Sequence, residues 1–286
     1  MTSISQLLQW QNPDGGWPYR HGGSWTEPTV YAVLALAAAG APAAVERGLQ
    51  WIRLSQREDG GWQARPGVGG TCWATALAAL VPAERLGADR HRRAVAWLSA
   101  GEGMESTALY RFRQWLLGAR LPAGAAAAGW PWVPGSAAWV APTALAILAL
   151  DRENRLHPEP GLASRVAAGR RFLFARMCKG GGWNHGSSRA MGYESGAYPE
   201  TTGLALTGLR GCRGPETEQS LAVALRFLEQ CRSADALNWL RLGLMAHGRL
   251  PDGYRPPPGI AYRSVPEVAT SMLVDGAAAG ASAFWV

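Results

Sequence analysis

Residues 47–62 read RGLQWIRLSQREDGGW, a helix-like segment that ends in a glycine pair and a tryptophan. This ending recurs as QNPDGGW at residues 11–17 and, more loosely, as CKGGGW at residues 178–183. Each copy follows an amphipathic segment and precedes an apolar run. A motif that returns between the same kinds of segment marks the joint of a repeated structural unit. The repetition therefore predicts a fold built from repeats.

The apolar runs that follow the joints have a helical pattern. Residues 28–40, 71–83 and 200–211 place apolar residues at i, i+3, i+4 and i+7, with alanine or glycine between them. This pattern is typical of a helix buried on most of its faces. By contrast, residues 44–56 carry their charged side chains on one side. Alternation of buried helices with helices that have one wet face predicts two concentric layers.

In total, the periodicity predicts about twelve helices. They span approximately residues 3–11, 27–39, 43–56, 71–83, 89–99, 105–119, 139–151, 161–177, 199–211, 216–231, 234–247 and 265–279.

The chain also contains a longer duplication. Residues at about 17–129 correspond to those at about 130–252, and a partial third copy occupies 253–286. Within the two full copies, Pro28 matches Pro142. We predict one domain with this internal duplication.

The number of helices in the duplicated block is not explained by the predicted single domain, residues 1–286, without a further assumption. The duplicated block contains an odd number of recognisable helices, whereas strict alternation between an inner and an outer layer requires an even number. Either a further helix lies within residues 120–138, or the pairing of layers slips once.

Residues 47–62 resemble the QW repeat of squalene–hopene cyclases and their relatives. That pattern joins a basic residue and glycine, an aromatic–aliphatic pair, a glutamine and a final Gly-x-Trp; the matching residues are Arg47, Gly48, Trp51, Ile52, Gln56, Gly60 and Trp62. The resemblance runs through most of the chain. It implies the all-α (α/α)6 toroid, with inner and outer layers of helices, that terpenoid cyclases share with the β subunits of protein prenyltransferases.

The repeated motif has a structural logic of its own. Its glycines allow a sharp turn where an outer helix ends. The tryptophan is expected to cap that helix end by stacking, and the glutamine to bond backbone groups at a neighbouring helix terminus. The motif is therefore predicted to be a joint and not a binding site.

Composition excludes several classes of function. The net charge of +7 would favour anionic partners, but the arginines are scattered singly or in pairs, so no nucleic-acid partner is predicted. No basic segment followed by an apolar stretch opens the chain, and the apolar runs are too short to cross a bilayer. We predict a cytoplasmic protein. The surface of the protein could still contact a membrane peripherally or bind a partner protein, and both alternatives are left open.

Carboxylates recur where the apolar helices begin. In a toroid these helix ends open onto a central cavity. Glu27, Glu200 and Glu267 each lie beside a proline at such a start. Acids in the first turn are stabilised by the helix dipole, so capping is one interpretation. Alternatively, a carboxyl group near aromatic walls has a raised pKa and acts as a general acid.

Aromatic side chains accompany these acids and are the predicted substrate-binding residues. They lie just upstream of the inner helices or within them: Trp25, Tyr31, Trp73, Trp139, Tyr198, Trp239 and Tyr262. Aromatic faces stabilise a developing carbocation by cation–π attraction. The combination suits an isoprenoid or a similar lipidic substrate.

The chain lacks the catalytic motifs of the families it resembles. It contains neither the Asp-x-Asp-Asp of squalene–hopene and class II diterpene cyclases nor an Asp-Asp-x-x-Asp for magnesium and diphosphate. Protein prenyltransferases use an Asp, Cys and His zinc site. Cys72 is the best thiolate here, and Cys178 with His185 flanks a joint, but no third ligand matches. No metal site and no cofactor are predicted, with zinc as the alternative.

The histidines form no arrangement typical of a catalytic triad. His21 and His185 both follow a joint, which predicts a repeated loop contact. His91, His157 and His247 are expected at the surface or at helix ends.

Two functions from different classes remain open. The first is an enzyme of the terpenoid cyclase and prenyltransferase superfamily that uses Glu27, Glu200 or Glu267 as an acid. The second is a non-catalytic toroid that binds a lipid, a peptide or a partner protein.

Overall fold

A computed structural model of the protein describes residues 3–118, 128–186 and 195–285, together with the backbone of 189–190 and 193–194. Over these residues the chain is all-α, as predicted, apart from one antiparallel pair of two-residue strands, β1 (Arg189–Ala190) and β2 (Tyr193–Glu194). The α-helices of the described residues are α1 Ser3–Trp10, α2 Thr26–Ala38, α3 Pro42–Leu54, α4 Ala74–Ala78, α5 Ala83–Leu86, α6 Ala88–Ala100, α7 Ala108–Leu116, α8 Val140–Leu156, α9 Pro160–Ala175, α10 Pro199–Gly208, α11 Pro215–Gln230, α12 Ala234–Ala246 and α13 Val265–Ala278. A 3-10 turn, Met104–Ser106, precedes α7.

Each of the twelve predicted helices has a counterpart, and the largest difference is at α4. The sequence predicts a helix over residues 71–83, whereas α4 covers only Ala74–Ala78 and a separate short helix, α5, follows. Proline disfavours a helical conformation at the residue before it and cannot donate a backbone hydrogen bond. Pro82 accordingly ends the first run and becomes the N-cap of α5.

The further helix expected within residues 120–138 is not found in the part that can be described. Residues 128–138 form turns and an isolated bridge between Pro131 and Ala138. Residues 119–127 lie outside the described residues. No helix of the described chain is long and apolar enough to span a bilayer.

The helices fall into two compact units. The first comprises Met1–Ala100 and Ala261–Val286. In it α2 packs against α13, α3 and α4, and every residue from Pro28 to Leu36 is buried. The run between these residues contains no charged side chain, so it can be enclosed on all sides. By contrast, α3 buries one face and exposes the other.

The second unit, Gly101–Ile260, is built around α10. This helix packs against α12 and α8. Where α10 crosses α12, Gly203 and Gly243 allow the two backbones to approach closely. A Cβ on Gly203 would lie 2.3 Å from the carbonyl carbon of Trp239, and one on Gly243 would lie 2.5 Å from the Gly203 carbonyl oxygen. The backbones of the two helices are therefore in direct contact. Whether the chain is a single domain over residues 1–286 stays a prediction.

The joints have one shared geometry. Gly15, Gly60 and Gly181 adopt φ values of 91°, 94° and 88°, a left-handed conformation that favours glycine. The three tryptophans that follow are fully buried. Each donates its indole N–H to a carbonyl ten residues earlier, in the last turn of the preceding helix: Trp17 to Leu7 at 2.8 Å, Trp62 to Ile52 at 2.8 Å and Trp183 to Leu173 at 2.6 Å. The tryptophan therefore caps the helix by a hydrogen bond rather than by stacking.

The glutamine of the motif links neighbouring elements. The amide of Gln56 donates to the Gly60 carbonyl at 2.8 Å and to the Arg90 carbonyl in the first turn of α6 at 2.9 Å. Gln11 makes the equivalent pair of bonds, to Gly15 at 2.8 Å and to Ala44 in the first turn of α3 at 2.9 Å. These bonds give the motif the structural role that the sequence predicts.

A fourth joint, Gly129-Trp130, was missed by the sequence analysis. The backbone N–H of Trp130 donates to Thr143 Oγ1 at 2.8 Å, just as that of Trp62 donates to Thr75 Oγ1 at 2.9 Å. Its indole is buried, and the guanidinium of Arg165 lies 3.2 Å from its ring centroid. Burial lowers the pKa of Arg165 to about 10.

The three histidines expected at the surface or at helix ends lie in such positions. His91 is in the first turn of α6 but is buried, and its Nε2 lies 3.1 Å from the Ala79 carbonyl at the end of α4. His247 lies at the C-terminal end of α12, as expected, with Nε2 2.9 Å from the Leu206 carbonyl. His157 is exposed at the end of α8.

Candidate functional site

The loops after the joints run along the starts of the buried helices. In the first unit the carbonyl of Tyr19 accepts from the N–H of Val265, the first residue of α13, at 2.8 Å. The carbonyl of Ala64 accepts from the N–H of Thr26, the first residue of α2, at 2.9 Å. Because each loop bonds a helix start, the side chains of the loop lie beside the first turn of the helix. This arrangement builds the candidate site.

The central feature of the site is a phenol bonded to a carboxylate. Tyr19 Oη donates a hydrogen bond to Glu27 Oε2. The Tyr19 ring also meets Trp25 edge to face, with centroids 5.5 Å apart. Tyr19 and Trp25 both remain partly accessible, and Glu27 is half-buried in the first turn of α2. An acid and two aromatic rings therefore share one partly open position.

The surroundings of Tyr19 hold its phenol in the protonated state. Burial, the charge of Glu27 and the hydrogen bond to that carboxylate all raise the pKa of Tyr19 above its ordinary value. Nearby Cys72 contributes in the same direction. A phenol that keeps its proton remains a hydrogen-bond donor to Glu27 over the whole physiological range.

Two further side chains border this position. The thiol of Cys72 is buried, and burial raises its pKa, so it is protonated at neutral pH. The guanidinium of Arg65 lies 5.7 Å from the ring centroid of Trp25. No group of three or more His, Cys, Asp or Glu side chains within the described residues is placed to hold a metal ion.

Glu267, the second acid of the first unit, has a different environment. Its Oε2 accepts from the backbone N–H of Ser264 at 3.0 Å and of Arg263 at 2.5 Å. Ser264 Oγ accepts in turn from the N–H of Glu267 at 3.4 Å, which completes a capping box at the start of α13. These contacts favour the capping interpretation for Glu267.

The second unit repeats the pattern around Glu200, which is half-buried in the first turn of α10. The ring of His185 lies 5.3 Å from that of Tyr198, the N-cap of this helix. His185 follows Trp183 at the offset at which Tyr19 follows Trp17. The backbone N–H of Tyr198 donates to the Trp183 carbonyl at 2.8 Å, as that of Trp25 donates to the Trp17 carbonyl at 2.9 Å. In both units, therefore, the loop after a joint places a ring side chain near a glutamate in the first turn of a buried helix.

The other predicted aromatic residues lie in three kinds of environment. Tyr31 and Trp239 are buried in the helix cores. Trp73 and Tyr262 are half-buried near the starts of α4 and α13. Trp139, the N-cap of α8, is exposed and lies against Gly186, where a Cβ would meet its ring at 3.3 Å.

Glu105 is a buried acid with a structural partner. Both of its oxygens lie 3.1 Å from the backbone N of Ala138, and its Oε1 lies 3.4 Å from Arg176 Nη2. Arg176 also donates to the Gly186 carbonyl at 2.9 Å. Burial lowers the pKa of Arg176, and the carboxylate of Glu105 partly offsets that effect. The pair joins the loop before α8 to the loop after α9.

Two contacts were not predicted from the sequence, that of Tyr19 with Glu27 and that of Arg176 with Glu105. For Tyr19 a signal existed, because it follows Trp17 at the offset at which His185 follows Trp183. No comparable signal identified Arg176.

Comparison with known proteins supports the fold more strongly than any single activity. No family model matches the chain. A stretch of 63 residues is 44% identical to drimenyl diphosphate synthase of Streptantibioticus cattleyicolor, covering 21% of this chain and 12% of that enzyme. The matched part is thus a small fraction of the relative's length.

Solved structures match over nearly the whole chain. The type II terpene cyclase MstE from Scytonema, in a variant complexed with geranylgeranyl dihydroxybenzoate (substrate), has a TM-score of 0.55 at 18% identity and matches 96% of this chain and 76% of its own. The endo-β-1,4-glucanase CMCax from Acetobacter xylinum has a TM-score of 0.58 at 15% identity, with 97% and 98% covered. A novel α-amylase from Clostridium perfringens has a TM-score of 0.62 at 7% identity, with 96% of each chain covered.

These identities show a shared fold. The chain has the all-α fold of proteins built as α/α toroids, and the resemblance to terpenoid cyclases is confirmed at that level. The same fold carries glycosidases, so the function has to be argued from the site.

Proposed function

We propose that the protein is a terpenoid cyclase-like enzyme that acts on an isoprenoid or similar lipidic substrate, with Glu27 as general acid. The observation that carries the proposal is the hydrogen bond from Tyr19 to Glu27 beside the ring of Trp25. The substrate class is supported by the fold shared with a terpene cyclase that binds geranylgeranyl dihydroxybenzoate. A cytoplasmic location is part of the proposal, and it is supported by the four cysteines, which are all free thiols.

The geometry suits an acid that gives up a proton and is stabilised afterwards. Because Glu27 Oε2 accepts from Tyr19, the proton of a neutral Glu27 lies on its other oxygen. Transfer of that proton to a terminal carbon–carbon double bond forms a C–H bond and leaves a tertiary carbocation. The Tyr19 hydrogen bond stabilises the carboxylate that remains, which lowers the cost of the transfer.

The rest of the reaction requires no oxidant and no second reactant. The π electrons of the next double bond attack the cation and form a carbon–carbon ring bond, and the last cation loses a proton to a base. Aromatic faces stabilise such cations by about 0.5–2 kcal/mol each. The ring of Tyr19, which is bonded to Glu27, and the ring of Trp25 beside it are the aromatic faces at this position.

The three candidate acids are ranked by their contacts. Glu27 is bonded by a phenol in a partly open position, whereas the carboxylate of Glu267 bonds two backbone N–H groups. Glu200 occupies the position in α10 that Glu27 occupies in α2, beside the ring pair of His185 and Tyr198. Glu200 is therefore the second choice for the acid.

The test is incubation of the purified protein with geranylgeranyl compounds, free and bearing an aromatic head group, in D₂O. Cyclisation started by a protein acid places one non-exchangeable deuterium in each product molecule, which mass spectrometry detects. E27Q should lower the rate by about 10²–10⁴. The matched variant E267Q should keep the turnover, and its stability should change little, because the glutamine amide oxygen can still accept the backbone N–H groups of the capping box.

Two outcomes would contradict the proposal. If E27Q cyclises the substrate as fast as the unaltered protein, Glu27 is not the acid, and E200Q becomes the informative variant. If native mass spectrometry shows an unchanged prenyl compound bound while no product forms, the non-catalytic lipid-binding alternative is supported instead.

A further inference from the structure

Helix α7, Ala108–Leu116, turns its large apolar side chains to solvent. None of its residues is buried. The exposed fractions are 79% for Leu109, 55% for Phe112, 73% for Trp115 and 63% for Leu116. Isolated exposed apolar residues are ordinary, but four large ones on one short helix indicate a contact surface.

The order of residues in α7 places this apolar surface between two positive charges. At about 100° per residue, the four apolar side chains occupy a sector of about 120° around the helix axis. Arg111 and Arg113 lie about 40° beyond either edge of that sector. Both arginines are exposed, and the helix contains no acidic residue. The result is an apolar stripe bordered by a guanidinium on each side.

We propose that α7 lies in the interface of a bilayer that contains anionic phospholipids. A helix that combines Trp, Phe and Leu on one face with flanking basic residues is the pattern of an interfacial helix. Tryptophan is favoured at the level of the headgroups, and long arginine side chains reach from the apolar region to the phosphates. Each basic residue near an anionic surface strengthens binding by about five-fold.

The duplicated copy shows that core packing does not account for the apolar face. The corresponding helix of the second copy is α12, which starts with the same side-chain cap, Ser233 in place of Thr107. With the two caps aligned, Leu109, Phe112, Trp115 and Leu116 fall at the positions of Asp235, Asn238, Arg241 and Leu242. Three of these four positions are polar in α12, so the apolar stripe of α7 does not repeat a core-packing apolar face of the duplicated helix and requires another partner.

A second copy of the chain fits this surface less well than a bilayer does. A helix of nine residues is only about 14 Å long. A stable protein interface buries about 800 Å² on each partner, which is more than the four apolar side chains of this helix can supply. Two copies paired along the stripe would also bring Arg111 and Arg113 close to the arginines of the partner.

Vesicle flotation with the full chain tests the proposal independently of catalysis. Vesicles of phosphatidylcholine with about one third phosphatidylglycerol should carry the protein, whereas pure phosphatidylcholine vesicles should carry at least ten-fold less. F112S/W115S should abolish flotation. R111Q/R113Q should weaken it by about 25-fold at low salt, and binding of the unaltered chain should fall as salt rises.

Two matched controls separate the stripe from general surface properties. L54A removes an apolar side chain that is 77% exposed on α3, and R226Q removes an exposed arginine of α11; both should float like the unaltered chain. The proposal is overturned if F112S/W115S floats normally, or if no vesicle composition carries the unaltered chain. It is also overturned if sedimentation shows a dimer that F112S/W115S dissociates.

Discussion

The phenol of Tyr19 donates a hydrogen bond to the carboxylate of Glu27, although the two residues belong to different elements. Tyr19 lies in the loop after the first joint, and Glu27 is the second residue of α2. The N–H of Trp25 closes the loop on the Trp17 carbonyl at 2.9 Å. The joint therefore does more than turn the chain, because it also sets the position of the phenol against the candidate acid.

The Tyr19–Glu27 bond predicts an abnormal alkaline titration. Because burial and the adjacent carboxylate raise the pKa of Tyr19, this residue should not contribute to tyrosinate absorbance at 295 nm near the ordinary value of about 10. Y19F should therefore leave the titration below about pH 11 unchanged. E27Q removes the charge but not the burial, so it should lower the pKa of Tyr19 without restoring its ordinary value.

Comparison of E27Q with E27Q/Y19F isolates the signal of this one tyrosine. E200Q is the control, because Glu200 starts α10 and not α2, and it should not alter the curve. If Y19F loses the absorbance change of one tyrosine near pH 10, the pKa of Tyr19 is not raised and the description of its phenol is wrong.

Helical periodicity was sufficient to predict the helices, whereas the toroid was implied by the resemblance of residues 47–62 to the QW repeat. The run in α2 is apolar on all sides, and that in α3 on one side, so each helix could be assigned to a buried or a half-exposed layer before its contacts were known. The joint at Trp130 escaped because it lacks the glutamine and the glycine pair, so only its bond to Thr143 reveals it. The sequence did not show that α12 is buried whereas α7 is exposed, because both helices have amphipathic or apolar sequences.

The candidate site was predicted in its parts but not in its pairings. The sequence shows that acids lie at the starts of the helices. For Glu267 it also indicates a capping role, because Ser264-x-x-Glu267 matches the capping-box pattern. The bond between Tyr19 and Glu27 depends on the path of the loop that joins them. The path of a loop is set by backbone hydrogen bonds, such as the one from the Val265 N–H to the Tyr19 carbonyl. Such hydrogen bonds leave no periodic pattern in the sequence.

Trp62 should contribute to stability chiefly through its buried indole. W62F removes the 2.8 Å bond to the Ile52 carbonyl and leaves a small void, and together these should cost about 2–4 kcal/mol in chemical denaturation. W115F makes the same change at a 73% exposed site and should alter stability by less than about 0.5 kcal/mol. Equal effects of the two substitutions would contradict the capping role of the joint tryptophan.

Gly48 and Gly169 should respond alike to alanine, because each lies beneath a joint tryptophan. A Cβ on Gly48 would lie 2.7 Å from the Trp17 ring, and one on Gly169 would lie 2.6 Å from the Trp130 ring. G48A and G169A should each cost about 1–3 kcal/mol through overpacking. The control G161A, in the first turn of α9 with 3.5 Å to its nearest neighbour, should be neutral or stabilising by up to about 1 kcal/mol. A stabilised G169A would show that Trp130 does not pack as a joint.

His247 should make the folded state sensitive to acid. Burial lowers its pKa below the ordinary value of 6.5, and the hydrogen bond to the Leu206 carbonyl only partly offsets this effect. The unfolded chain therefore binds more protons than the folded chain once the pH falls below about 6.5, so the free energy of unfolding decreases as the pH falls through this range. Urea denaturation between about pH 7 and pH 5 should show this decrease, and H247Q, which keeps a hydrogen-bond donor, should reduce its slope. Identical slopes for H247Q and the unaltered chain would mean that another group causes the acid sensitivity.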